Sequence, residues 1–507
     1  MSENSTAEAL SEDFLSADFP PHSYEDWKEA AVQLLKGAPF EKRLLTRLHE
    51  GITLQPIYMR EDAAELPHMG ALPGLGSRVR GRRASGYLES PWLISQELNC
   101  STPAEFNRVA LGELEHGQSE LNIPLDEAVR SGRDPDHSSV GEVGRDGLSL
   151  STVGDLEQAF RGVHLEMVPV YFRTGTAALP MTTLLFAYAK RQGLPFGKIG
   201  GCVEADPLGN LAISGELAIS LGTAWRNIAI LTRFAAASAP RLQTLAVQGQ
   251  PYSDGGATAV EELGYVLATG VEYLRRMREQ GIEPATTSNH LRICLSIGGN
   301  LFVEIAKLRA ARMLWERVLE AFGAQSSACG VHLHARTASW NKTHYDPYVN
   351  MLRTTTEAFS AVLGGADSLH VSPFDETIRL PDAFSRRITR NTQLILAEEC
   401  DLTHVVDPAG GAWAVESLTD RIAAQAWEVF QGVEAAGGMT AALEQGLPQA
   451  RVAETAGRRA ETIAQRRDVF VGTTMYPNAS ERPLENREPD FPAIFRDRSI
   501  QIAEFRR

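Results

Sequence analysis

Residues 370–438 read HVSPFDETIRLPDAFSRRITRNTQLILAEECDLTHVVDPAGGAWAVESLTDRIAAQAWEVFQGVEAAGG, which is an apolar strand, a charged loop, a helix, a Gly-rich turn and a second long helix. Leu394, Ile395 and Leu396 fall in a helical run that Asp382 opens and that closes before Asp407-Pro408. A strand returning through a helix to the next strand is the unit of an α/β protein. Working back toward the N-terminus, short apolar runs alternate with helical ones from Pro91 onward. Strands are predicted near 119–124, 147–152, 167–173, 198–203, 242–248, 291–297, 329–335 and 367–371. Eight strands interleaved with helices predict a (β/α)8 TIM barrel, whose chemistry sits on the loops after the strands. The strongest helices, 257–281 and 301–322, carry apolar stripes with charges on the opposite face.

The flanks divide the chain further. Residues 1–20 are polar and acidic and read as a mobile tip, followed by a helix over 24–35 that Gly37 would cap. The Gly- and Arg-rich stretch 70–86 lacks periodicity and is expected to be an extended arm that buries little against its own chain and wraps a partner. The organisation predicted is an N-terminal arm for subunit association (1–90), a barrel (91–411), a helical extension (412–472) and a linker-like tail (473–507).

Composition narrows the function classes. The 507 residues are 43% hydrophobic and 22% charged, which is globular usage. A net charge of −15 argues against a general nucleic-acid binder. Cys100, Cys202, Cys294, Cys329 and Cys400 are odd in number and form no CxxC pair. That favours a reducing, cytoplasmic setting. No apolar run is long enough for a bilayer, so no membrane association is expected.

Few constellations carry chemistry by spacing alone. His332 and His334 share one strand face and His370 ends the next strand, which makes a metal-dependent barrel hydrolase conceivable. No bridging Lys or metal-binding Asp accompanies them at other strand ends, so packing is the preferred reading and no metal site is predicted. Gly249, Gly255 and Gly256, and separately Gly298-Gly299-Asn300, read as tight βα turns rather than phosphate loops. Asp134, Asp136 and His137 lack the DxHxxG spacing of a cobalt-ligating histidine.

The stretch quoted first, through Phe374-Asp375-Glu376, Ser385-Arg386-Arg387-Ile388, Arg390-Asn391-Thr392-Gln393-Leu394 and Asp407-Pro408, resembles the adenosylcobalamin-dependent acyl-CoA mutases, methylmalonyl-CoA mutase most of all. Phe19-Pro20, Trp27, Glu50-Gly51-Ile52, Gln55-Pro56-Ile57-Tyr58, Pro91-Trp92, Val303-Glu304, the run 307–315, Thr337 to Trp340 and Gly437-Gly438-Met439 extend the likeness over most of the chain. The resemblance implies a barrel threaded by coenzyme A, in which a Tyr-His pair and a further Tyr serve a radical rearrangement. Here Gln250-Pro251 takes the place of Tyr-His, Glu97 that of the Tyr, and Ser95 that of an Arg. Proline has no donor to offer, and one lost donor at a reacting oxygen costs about 10²–10³ in rate. A buried Glu97 would also repel an acyl-CoA carboxylate. His334 matches a family histidine and Glu376 a family carboxylate near the adenosyl site. No catalytic residue is therefore assigned.

Arg173, Glu204, Arg292 and Arg336 lie at strand positions where family lumens hold small polar groups, and some of them are expected to fill the axis. The corrin-carrying flavodoxin-like domain is not expected in this chain, which would bind no cofactor itself. Adenosylcobalamin would enter through a partner or a further domain. The reading favoured is the non-catalytic small (beta) subunit of a heteromeric mutase, paired as a heterodimer with a catalytic chain that interconverts succinyl-CoA and methylmalonyl-CoA. The alternative is a divergent substrate-binding subunit that borrows a separate cobalamin-binding chain.

Overall fold

Local sequence signals start the elements where the chain can satisfy their first amide groups. The computed structural model describes residues 21–324, 330–486 and 488–507. Residues 1–20, read above as a mobile tip and including Phe19-Pro20, and Cys329 lie outside the described residues.

The chain divides into two compact units, Met1–Glu65 and Leu66–Arg507. In the smaller, Ser23 and Asp26 form a capping box for the helix Tyr24–Leu34, and Trp27 meets Phe40 edge to face at 6.2 Å. The turn after it uses Lys36 and Gly37, both at positive φ, one residue earlier than a Gly37 cap predicts. Thr46–Arg47 pairs antiparallel with Thr53–Leu54.

The larger unit is a (β/α)8 barrel. Its strands are β1 (Leu93–Ile94), β2 (Leu121–Pro124), β3 (Val170–Arg173), β4 (Gly201–Ala205), β5 (Leu242–Gln248), β6 (Leu291–Ile297), β7 (His332–Thr337) and β8 (Ser368–His370). Consecutive strands are parallel neighbours, and β8 returns to β1 through Ser368–Leu93 and Leu369–Ile94. The ring closes between β1 and β2 by a parallel bridge from Glu97 to Asn122 and by the Leu98 amide donating to the Asn122 carbonyl at 3.0 Å. Seven of these strands match the predicted ones, and the eighth is a correction. Residues 147–152 form only a bridge from Leu148 to Leu125, and the missing strand is Leu93–Ile94. Leu148 and Leu150 are buried as a packed loop, which imitates strand alternation, whereas a two-residue strand is too short to show any.

Two helices on the barrel are buried over most of their surface. These are α1 (Ala259–Glu279), begun by a capping box of Thr258 and Glu261, and α2 (Leu301–Ala321), capped by Asn300. Their expected solvated charged faces are instead largely covered, with Arg278, Glu279, Arg317 and Glu320 left at the surface. Lys307 of α2 reaches Glu262 of α1 at 2.6 Å and Glu304 at 2.7 Å. The cover is α4 (Trp413–Ala435), which lies beyond α3 (Ala383–Glu398) in the chain. Close approach explains two glycines in α1: a Cβ on Gly264 would sit 2.6 Å from Val429 of α4, and one on Gly270 2.5 Å from the Trp315 ring of α2.

The flanks are also more firmly built than the sequence suggests. The 70–86 stretch forms no helix or strand, yet Arg78 pairs with Glu316 at 2.7 Å, Arg82 with Asp367 at 2.9 Å, and the Tyr87 hydroxyl donates to the Ala366 carbonyl, just beyond the stretch, at 2.6 Å. It is a strap fastened to its own barrel, because its arginines find carboxylates that the sequence keeps far away. The linker-like tail contains a helix, α5 (Phe491–Phe505), whose Arg498 is buried in a two-pronged pair with Asp155 at 2.7 and 2.9 Å.

Candidate functional site

Alternation along a strand sends every second side chain to the barrel axis. On β6 these are Arg292, Cys294 and Ser296, paired in register with His332, His334 and Arg336 of β7. At the N-terminal end of the lumen, Arg292 crosses to Glu120, on the far side of the ring, with two hydrogen bonds of 2.9 and 3.1 Å; the side chains are 1% and 0% exposed. Its guanidinium also donates to the Gln243 side-chain oxygen at 2.9 Å and lies 4.5 Å from the Tyr171 ring centre.

Tyr171 fills the middle of the lumen. Its ring meets His334, from the opposite strand, edge-on at 5.3 Å, and it packs with Cys202, Ala246 and Cys294. Its hydroxyl donates to Glu204 at 2.6 Å and accepts from Gln248 at 2.8 Å, and Gln248 also donates to Glu204 at 2.8 Å.

At the C-terminal mouth Glu97 accepts from Arg173 at 2.9 Å and from Arg336 at 3.1 Å. Arg336 continues to Glu376, and Arg173 to Gln250 at 3.1 Å. Burial alone would raise the Glu97 carboxyl, but Arg336, His370 and Arg173 outweigh it and hold the group far below the usual range. Glu376 is lowered to about 2 in the same way, burial being overcome by Arg336 and His370. The gap left between the middle and upper layers is about 10 Å³, room for a single water at most. Above the upper layer a cavity of about 410 Å³ opens between the mouth loops and the start of the tail helix, where Phe491 lines it.

All four lumen charges anticipated from sequence, Arg173, Glu204, Arg292 and Arg336, thus have partners on other strands or strand ends. Glu97 carries a charge that two arginines neutralise, so repulsion of a substrate carboxylate is not what closes the site. Gln250 joins the lattice. Pro251 does not, because it occupies the start of the short helix Gln250–Asp254, where an amide has no intrahelical acceptor.

His332 and His334 bracket the Ser368 hydroxyl at 2.9 and 2.8 Å. Burial first, and Arg292 next, push both well below the ordinary histidine range, so both are neutral packing groups. His370 stands elsewhere, with Glu97 and Glu376, and ligand-type atoms of these three lie within 4.8 Å of one another. The Glu97 amide donates to His370 Nδ1 at 3.1 Å, and Arg336 already bridges the two carboxylates. The trio is an ion-pair cluster rather than a ready cation cage. Asp134, Asp136 and His137 surround Arg506 of the tail helix.

Sequence reasoning missed Glu120, Tyr171 and Gln248. Tyr171 was within reach, since it lies two residues before Arg173 on one strand face. Glu120 was not, because its partner is 172 positions away.

Comparison with known proteins agrees with this architecture. A family described as "Methylmalonyl-CoA mutase" matches residues 47–507. A protein of Cereibacter sphaeroides named methylmalonyl-CoA mutase is 36% identical over 94% of this chain and 67% of its own length. The small subunit of methylmalonyl-CoA mutase of Streptomyces virginiae is 38% identical over 94% of this chain and 73% of its own. The large subunit from the same organism is 34% identical over 96% and 66%.

Proposed function

The chain belongs to the methylmalonyl-CoA mutase family, and from that premise we propose that it is the small, non-catalytic subunit of a heteromeric adenosylcobalamin-dependent mutase. One observation carries the reading: the axis along which an acyl-CoA would have to thread is occupied from Glu120 and Arg292 at one end to Glu97, Arg173 and Arg336 at the other. A pantetheine arm needs a continuous passage, and opening one here means breaking several buried ion pairs at once. Removing one member of such a pair costs about 3–5 kcal/mol.

The residues at the mouth do not fit the family chemistry either. Glu97 and Gln250 are committed to Arg173, and Pro251 has no donor, so no catalytic step is assigned to this chain. Its role is to support a catalytic partner, with the segment preceding Leu66 as the candidate arm for that partner. The relatives named as small and large subunits support a two-chain enzyme.

The test is co-expression with a catalytic mutase chain. A one-to-one complex is expected whose turnover is unchanged by Glu97→Gln in this chain. A fall in turnover of tenfold or more with the complex intact would instead support the divergent substrate-binding reading, which the open cavity above Glu376 favours.

A further inference from the structure

The helix Ala178–Gln192, after β3, and the helix Leu221–Ser238, after β4, pack side by side on the outside of the barrel, and neither contains an Asp or a Glu. They carry Lys190, Arg191, Arg226 and Arg233 instead, and Lys198 and Arg241 follow in the loops after them. This face is basic in a chain whose net charge is −15.

Its centre is apolar. Where the two helices meet, the Phe186 and Phe234 rings lie 5.0 Å apart, and Phe196, just after the first helix, lies 4.7 Å from Phe186. The outer edge of this contact is open: Phe234 is 40% exposed and Ile230, one turn earlier, 53%. Arg226, Ile230, Arg233 and Ala237 recur at i, i+4, i+7 and i+11, and all four are exposed. One stripe of the second helix therefore faces outward as apolar groups spaced by cations. The cations at the edge of the face are compensated, Arg191 by Glu157 at 3.2 Å and Lys198 by Glu166 at 3.7 Å. Those nearer its centre are not. Arg226 donates to the Thr223 hydroxyl at 3.0 Å, Arg233 to the Gln280 carbonyl, and Arg241 to the Lys198 carbonyl at 3.3 Å. Among the described residues these three and Lys190 pair with no carboxylate.

We infer that this face is a docking surface for an acidic protein segment that presents an apolar stripe at helical spacing. The stripe of the partner covers Ile230 and Phe234, and its carboxylates pair with Arg226 and Arg233, whose guanidinium groups hold a carboxylate by two hydrogen bonds. From Arg226 to Ala237 the helix rises roughly 17 Å, which about three turns of a partner helix cover. Charge selects the occupant. The overall field of a chain at −15 repels an extended polyanion such as nucleic acid or an acidic bilayer. A short segment brings few charges and meets the patch within a screening length of about 8 Å, where the local cations dominate. A second copy docked through the same face would set Arg226 and Arg233 against their own kind. The inference goes beyond the subunit reading and does not rest on it, since the face lies outside the lumen.

The test is calorimetric titration of the folded chain with a synthetic peptide of about 18 residues in which Leu recurs every third or fourth position among Glu, Ala and Gln, a length that covers the stripe. One saturable site is expected, weakened by added salt. Reversing both exposed arginines, Arg226→Glu with Arg233→Glu, should weaken it at least tenfold, and so should Ile230→Asp, which removes the apolar part alone. Arg458→Glu, a reversal at a 58% exposed side chain on another helix, should leave the affinity unchanged. Absence of saturable binding, equal affinity in the Arg226 and Arg233 variant, or equal affinity for a peptide of the same composition with its stripe scrambled overturns the inference. Sedimentation of the chain with phosphatidylserine vesicles, without binding of the peptide, overturns it in favour of a membrane surface.

Discussion

Two buried ionic networks in this molecule use the same residue types for opposite ends. The outer one joins the strap, α2 and α4: Arg309 holds Asp407 and Glu416, and Glu416 also meets His68 at 3.0 Å and Arg80 at 3.6 Å. The inner one, through Glu97, Arg173, Arg336 and Glu376, occupies the lumen. The outer network is built from positions where the chain reads like its family, Arg309 and Asp407 among them. The inner one is built around positions where it departs, Glu97 and Gln250. Charges at family-like positions hold the scaffold, and on the proposed reading those at departing positions close the lumen.

That contrast is breakable at several points. The largest effect is expected at Arg309→Met, which strands Glu416 and Asp407 in a site where Arg309 and Glu416 are 0% exposed. A loss of about 3–5 kcal/mol in urea unfolding is predicted, and a loss under about 1 kcal/mol would mean that the outer network is not a staple. Arg498→Ala should cost about 3 kcal/mol, because it leaves Asp155 without its partner. If proteolysis removes α5 with no change in melting temperature, the tail is a linker after all.

Glu97→Gln should cost less, about 1–2 kcal/mol, since an amide still accepts from one arginine and the mouth is partly open to water. Its clearer signature is in pH. Glu376, and Glu97 more so, titrate lower in the folded chain than in the unfolded one. The stability they contribute is therefore complete above an unfolded carboxyl value of about 4.5 and drains away as pH falls toward about 2. Glu97→Gln should flatten that part of the acid-unfolding curve, and an unchanged slope would remove Glu97 from the account.

The smallest effect is expected from restoring family residues at the mouth. A chain carrying Glu97→Tyr, Gln250→Tyr and Pro251→His should remain without measurable acyl-CoA affinity, because Tyr171, Arg292 and Glu120 still fill the layers below. Acquired binding would place the obstacle at the mouth alone.

What the sequence disclosed follows the range of the interactions involved. Comparison with the small polar lumens of the resembling family led to the expectation that some of Arg173, Glu204, Arg292 and Arg336 fill the axis, and the run from Phe374 to Asp407-Pro408 carried the family likeness. Leu93–Ile94 stayed hidden because two residues have no period. The strap was misread because Arg82 and Tyr87 bond to residues 285 and 279 positions away. The solvated faces expected on α1 and α2 failed for the same reason, since their cover, α4, begins more than ninety residues after α2 ends.

The most direct measurement is calorimetric titration of the folded chain with succinyl-CoA and methylmalonyl-CoA. A sealed lumen predicts no saturable heat from either ligand. Micromolar binding to the wild-type chain would show that the axis opens, and would contradict the assignment of a supporting, non-catalytic role.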